Sequence, residues 1–328
     1  MNAPGVAFDA RLTTHMSVGM QQYVRELATR IPRLAPDLQV ETFGDGDNFD
    51  FAEQIAMPLW LARKRPRLVH FPSPFAPLVI PAPYVVTIHD LIDLNYPQWT
   101  KPKARWYYRE IVRRLARGAR CVITDDPATA TDITRYYGVD AEQIAVIPLG
   151  IEATTVDPVR HARPYAIYAG NRRPHKDLAT LVEGWKLVDP RFELDLALTG
   201  DADAALLGTR ERGRVVFLGD LAHADVLRWI AGAAVLVHAA LREGFGLPLL
   251  EAASLGTPVV VAEGAVPEPL RPVVRTFAPG NPSSLARAVE AALGDEVGEL
   301  ALRACEAAAR LSWDRCARET AAVYRRFL

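Results

Sequence analysis

Short apolar runs rich in Val and Ile, separated by longer stretches with helical spacing, limit the possible folds of this chain more than any other feature. In the first half the runs fall at residues 5–9, 38–43, 68–71, 84–89, 120–124 and 144–148. In the second they fall at 165–169, 193–198, 214–218, 234–238 and 258–262. They are apolar throughout rather than alternating, which suits a parallel sheet covered on both faces by helices. Helical patterns are clearest at 18–31, 103–116 and 128–137. Two such series in 328 residues predict an α/β chain with two doubly wound, Rossmann-like domains. Residues 150–164 carry two prolines and scattered charge without a periodic apolar face, the mark of a connector. The expected division is a first domain at 1–152, a linker at 153–164 and a second domain at 165–312. An amphipathic helix at 313–328 follows, with the first domain as its candidate packing partner.

Composition narrows the function classes. A formal net charge of -1 gives no electrostatic reason to bind nucleic acid. Cys121, Cys305 and Cys316 are odd in number, which suits free thiols better than a disulfide framework. The opening residues lack the layout of a secretion signal, and no apolar run approaches the roughly eighteen residues of a membrane span. A cytoplasmic location is the expectation.

Ligands of doubly wound sheets sit outside the carboxyl ends of the strands, so motifs that follow strands directly carry the most information. After the run 165–169 comes Gly170-Asn171-Arg172-Arg173-Pro174-His175-Lys176-Asp177-Leu178. A glycine exit, cationic side chains and the amides of a helix start make a site for a dianion. After 234–238 comes Arg242-Glu243-Gly244-Phe245-Gly246-Leu247-Pro248-Leu249-Leu250-Glu251-Ala252. Gly244 and Gly246 let a ligand approach bare backbone, and Pro248 suits the first turn of the next helix. The amides there favour a phosphate, and each glutamate can accept two hydroxyl hydrogen bonds from a sugar diol.

The segment from Glu243 to Glu251, continued by Ser254-Leu255-Gly256-Thr257-Pro258-Val259-Val260, resembles the E-x7-E signature of the family 4 retaining glycosyltransferases of GT-B fold. Gly170 to Leu178 resembles the basic phosphate loop of that family, and the likeness extends over nearly the whole chain, more weakly in its first half. Mannosyl- and rhamnosyl-type relatives that build polysaccharides look most similar. The resemblance implies two domains facing across a cleft, the first on the acceptor side and the second binding the nucleotide sugar. It implies transfer of a hexose, with mannose from GDP-mannose the favoured donor, to a glycan, lipid-linked or small-molecule acceptor. No cofactor and no metal would be required. It assigns the donor diphosphate to Lys176 with Arg172 or Arg173, and the sugar and phosphate to Glu243, Gly244, Phe245, Gly246 and Leu247. The ribose falls to Glu251, and the nucleobase edge to backbone near Leu218. A non-catalytic sugar-nucleotide-binding or scaffold protein of the same fold is the alternative.

In the first half, Phe8-Asp9-Ala10-Arg11 followed by Ser17-Val18-Gly19-Met20 resembles the family opening, in which a glycine, here Gly19, lies against donor phosphate and acceptor. Val85-Val86-Thr87-Ile88-His89-Asp90 ends a strand with a histidine, and a neighbouring carboxylate would set its orientation. The family's cleft histidine maps to His89, which joins Lys176 and Glu243 as the expected catalytic set. His70 is read as structural, and His238 carries no signal of its own. The family's V-S-E-x-S stretch appears as Ile123-Thr124-Asp125-Asp126-Pro127, a departure on the acceptor side. Asp201-Ala202-Asp203 has the form of a metal-binding triplet but stands alone. Between Lys101 and Arg120 lie eight basic residues and one acidic residue, Glu110. That stretch has two readings: a packed helix with a solvated basic back, or contact with an anionic membrane at the inner face.

Overall fold

Unbroken apolar runs become strands here because both of their faces are covered. A computed structural model of the chain describes residues 5–11, 16–44, 53–152, 155–203, 215–294 and 297–328. His15, Arg214 and linker positions 153–154 lie outside the described residues. The chain divides into two units, Met1–Gly150 with Leu311–Leu328, and Ile151–Arg310.

The first unit holds β1 (Val6–Asp9), α1 (Val18–Leu34), β2 (Val40–Phe43), α2 (Glu53–Lys64), β3 (Leu68–Phe71) and β4 (Tyr84–Thr87). There follow α3 (Ile92–Asn95), α4 (Pro102–Trp106), α5 (Arg113–Gly118), β5 (Cys121–Thr124), α6 (Pro127–Tyr137) and β6 (Ile144–Val146). Its six strands are parallel in the order β2-β1-β3-β4-β5-β6. Every residue of β1, β3 and β5 is buried. One of them is Asp9, whose charge is met by Arg11 at 2.6 Å. Val69, Phe71, Val86, Val122, Ile133 and Tyr137 belong to the core. The expected helix at 103–116 is interrupted. A π-helical turn, Tyr107–Val112, separates α4 from α5.

The second unit holds β7 (Tyr165–Tyr168), α7 (Leu178–Leu187), β8 (Asp195–Leu198), β9 (Val215–Phe217), α8 (His223–Gly232) and β10 (Val235–His238). Then come α9 (Leu247–Ser254), β11 (Val259–Ala262), β12 (Arg275–Phe277), α10 (Pro282–Ala291) and α11 (Val297–Ala309). Its six parallel strands run β12-β11-β10-β7-β8-β9. The edge strand β12 was not expected. Sheet growth reverses direction between β7 and β10, which makes that end of the sheet a topological switch point, the usual ligand position in such folds. The tips beyond β8 and β9 are joined by an antiparallel bridge, with Gly200 N donating to Gly219 O at 2.8 Å and Gly219 N to Gly200 O at 3.2 Å.

The last helix, α12 (Trp313–Arg325), packs on α1 within the first unit. Ser312 caps it by accepting from Arg315 N, and its buried face includes Trp313, Cys316 and Tyr324. Asp314 pairs with Arg30 and Arg33 of α1. Truncating a buried aromatic such as Trp313 typically costs about 3–5 kcal/mol. The chain approaches itself so closely here that a Cβ on Gly150 would lie 2.1 Å from Trp313 N, so only glycine fits.

Candidate active site

The two loops flanking the switch point of the second unit meet directly. The loop after β7 carries Lys176, and the loop after β10 carries Glu243. Lys176 Nζ donates to Glu243 Oε1, and their side chains are only 10% and 13% exposed. His238, the last residue of β10, donates from Nε2 to the same oxygen. Burial raises a carboxyl pKa, but Lys176 and His238 reverse that effect and hold Glu243 well below the usual carboxylate range. The backbones are tied as well, since Leu241 N donates to His175 O at 2.8 Å. The His175 ring is buried, and burial together with the adjacent Lys176 pushes it down to about 4. It is therefore neutral near pH 7 and adds no charge to the basic loop.

Gly246 caps α9 with φ +80°, a conformation that glycine adopts without strain. Pro248 occupies the first turn, as the sequence suggests, and Phe245 is buried. Amides at such a helix start lack intrahelical partners and face an incoming anion with the positive end of the dipole. Glu251 lies one turn into α9, its side chain 13% exposed and 3.3 Å from His223 Nε2. Burial raises its pKa and His223 opposes the rise.

The two arginines of the basic loop part company. Arg172 lies over the Phe217 ring, 5.1 Å from the centroid, and donates from Nη2 to Thr199 O at 3.3 Å. Arg173 is exposed. Leu218 donates its N–H to Leu198 O at 2.9 Å, which removes that amide from any base-edge contact. Asp201 is exposed, and among the described residues no group of three or more His, Cys, Asp or Glu is placed to hold a metal ion.

In the first unit, His89 lies two residues beyond β4 and is 8% exposed. Its Nδ1 contacts both carboxylate oxygens of Asp125 at 2.9 Å, and its Nε2 reaches Pro72 O at 3.3 Å. The Tyr23 ring meets it edge-on at 4.8 Å. This corrects the expected orienting partner. The sequence neighbour Asp90 instead accepts from Ile92 N at 3.1 Å, while the carboxylate that holds His89 comes from the end of β5. The departure at Asp125-Asp126-Pro127 thereby divides its labour, with Asp126 capping α6 and Asp125 gripping His89. Burial lowers the pKa of His89, but Asp125, its hydrogen bond and Asp90 together raise it above the ordinary value. Burial also raises Asp125, so the pair holds a proton tightly. Gly19 lies in the first turn of α1, whose cap Ser17 accepts from Met20 N. His70 is fully buried between the Tyr324 hydroxyl at 2.5 Å and Thr87 Oγ1 at 2.8 Å.

Sequence reasoning passed over Asp125 and His238. Both are polar residues at the carboxyl ends of parallel strands, the same signal that singled out His89.

Two family descriptions match the chain: "Glycosyl transferases group 1" over residues 163–295 and "Glycosyltransferase Family 4" over residues 42–155. The MMP alpha-(1->4)-mannosyltransferase of Mycolicibacterium hassiacum is 31% identical over 275 residues, covering 74% of this chain and 65% of its own. The O-antigen chain mannosyltransferase B of Escherichia coli is 27% identical over 267 residues, covering 74% and 70%. The curated relatives it matches are spanned over 48% to 70% of their own length. Among solved structures, Anabaena HepE in complex with UDP and glucose superposes with a TM-score of 0.71 at 19% identity, covering 97% of this chain and 98% of that one. Two doubly wound units with this strand order, an E-x7-E segment running from the loop after β10 into α9 and both matches place the chain in the family 4 glycosyltransferases of GT-B fold.

Proposed function

We propose that this chain transfers a hexose from a nucleoside diphosphate sugar to a glycan, lipid-linked or small-molecule acceptor, with retention of configuration and without a metal ion. The observation that carries this reading is the junction of Lys176, His238 and Glu243 at the switch point, beside the start of α9, where Gly246 supplies no side-chain cap. Lys176 and the amides from Gly244 to Leu247 would stabilise the departing diphosphate, a preorganised electrostatic role. Arg173, exposed on the same loop, is the freer of the two arginines for phosphate, while Arg172 lies where a base stacked near Phe217 would meet it. Glu243 would hold sugar hydroxyls and Glu251 the ribose. In the first unit, Nε2 of His89 is the nitrogen a reacting sugar would recruit, because its 3.3 Å bond to Pro72 O is weaker than the grip of Asp125 on Nδ1. Mannose from GDP-mannose is the first donor to test, since the two named relatives above are mannosyltransferases.

The basic stretch supports a second contact. Lys101, Lys103, Arg105, Arg109, Arg113, Arg114, Arg117 and Arg120 are all exposed, and Trp106 is 58% exposed beside them. The wide turn Tyr107–Val112 rotates less per residue than an α-helix, which offsets the drift of a four-residue repeat and keeps the row aligned. Such a face suits an anionic membrane surface. No helix among the described residues is long and apolar enough to cross a membrane.

Nucleoside diphosphates screened by thermal shift identify the base, because stabilisation follows free ligand over its dissociation constant. Turnover of the matching nucleotide sugar in excess chelator then tests the reaction. Binding of no diphosphate, or strict dependence on added divalent metal, refutes the proposal.

A further inference from the structure

His238 is buried, 1% exposed, and its ring lies parallel to that of Tyr168 on the adjacent strand β7, with centroids 5.7 Å and planes 14° apart. The Tyr168 hydroxyl donates to Asn171 O at 2.5 Å, so the second plate of the stack is itself fixed. Nε2 of His238 meets Glu243 Oε1, while its Nδ1 is buried without a hydrogen-bond partner among the described residues. These contacts define the tautomer. An ionised carboxylate only accepts, so Nε2 carries a hydrogen. A hydrogen on Nδ1 would be a buried donor without an acceptor, which is costly. The ring is therefore a donor through Nε2, clamped by stacking and aimed at one oxygen.

That oxygen also receives Lys176. The ammonium has two claims on it, because the proposed function places it against the donor diphosphate. An ammonium that turns to phosphate releases Glu243, and a buried carboxylate held by nothing else would swing away from the sugar. We infer that His238 is a positioning residue for the donor sugar, holding Glu243 by one hydrogen bond while Lys176 exchanges the carboxylate for the diphosphate. The inference rests on the glycosyl-transfer reading and adds to it a residue that acts through Glu243 rather than on substrate.

The test uses the full chain and two variants. His238→Phe keeps a ring against Tyr168 but donates nothing, and His238→Gln offers an amide N–H near the position of Nε2. His238→Phe is expected to lower kcat/KM for the nucleotide sugar by about tenfold or more, mainly in kcat, since the lost interaction acts at the reacting sugar. Its affinity for the free nucleoside diphosphate should stay within about twofold, and His238→Gln should recover to within about threefold of wild type. A His238→Phe protein with wild-type kcat/KM, an equally impaired His238→Gln, or a parallel loss of diphosphate affinity overturns the proposal. Nitrogen NMR of histidine-labelled, nucleotide-free wild type should show His238 with a hydrogen on Nε2. A bare Nε2 overturns it as well. A wild type with the expected tautomer that turns over no nucleotide sugar refutes the glycosyl-transfer reading and the exchange with it, leaving only the hydrogen bond.

Discussion

Replacing Lys176 with Met strands Glu243 in the protein interior. The two side chains are about nine-tenths buried, so solvent screening is weak and the contact resembles a buried ion pair more than a surface one. Removing one partner of such a pair typically costs about 3–5 kcal/mol, because the other charge stays desolvated and uncompensated. His238 remains on Glu243 Oε1, which places the expected loss near the lower figure, about 3 kcal/mol. For a unit of this size each kcal/mol shifts Tm by roughly 2–4 °C, so the transition of the second unit should fall by about 6–12 °C. Lys176→Met/Glu243→Met should recover most of that, since apolar replacement of a whole buried pair is often neutral. The pH dependence has a definite sign. In wild type the Glu243 pKa is depressed, so its contribution is present above the ordinary carboxyl value of 4.5 and is lost as pH falls below it. In Lys176→Met the influence of burial, which raises the pKa, gains, so the gap between the two proteins should narrow as pH falls. Calorimetry without nucleotide at several pH values measures all of this. A Lys176→Met protein that melts with wild type, or a double variant that melts with the single one, refutes the electrostatic account.

Other consequences can be checked separately. Asp125→Asn should lower the NMR titration midpoint of His89, because burial is then opposed only by Asp90 and the Pro72 carbonyl. The His89 pKa is raised in wild type, so the stability it confers is complete below the ordinary histidine value of 6.5 and is lost as pH rises through the folded value; Asp125→Asn should flatten that alkaline loss. His70 is lowered to about 3 by burial, so its contribution is present above 6.5 and is lost as pH falls toward 3. His70→Gln should weaken the first unit and reduce the acid slope of its urea midpoint, and an unchanged slope would show that His70 does not set it. Arg109→Glu/Arg113→Glu/Arg117→Glu should abolish co-sedimentation with anionic vesicles at low salt, and equal binding by variant and wild type would refute membrane contact.

The strands were legible because parallel strands advertise themselves as apolar runs, yet the runs overshoot. Residues 84–89 read as one strand, but β4 stops at Thr87, while Ile88 stays buried and continues the pattern after the ladder has ended. Ala169 beyond β7 behaves the same way. The edge strand β12 is three residues long and includes Arg275 and Thr276, too short and too polar to register. The π-helical turn leaves no trace, because its residues have ordinary helical character. Lys176 and Glu243 were each singled out by their own loops, but their contact depends on β7 and β10 being neighbours, which strand order decides. Asp125 and His238 were overlooked for a related reason. A lone polar side chain ending an apolar run looks incidental until the fold supplies its partner, which for Asp125 stands 36 positions away.

Gly150 pressed against the backbone of Trp313 means that the first unit is written in two instalments, with the whole second unit between them. Synthesis delivers residues in order, and domains generally fold as they appear. The sheet and α1 of the first unit therefore emerge long before α12, and the faces of Tyr23 and His70 that meet Trp313 and Tyr324 stand uncovered while residues 151–310 are made. The second unit can complete its own core during that interval, and its completion then shortens the loop that α12 must close. The later unit in sequence is thus the earlier one to be finished, and the first unit is sealed only when Trp313 reaches Gly150. A chain rearranged so that residues 311–328 precede the first strand would reverse that order, and should shorten the time the α1 face spends exposed.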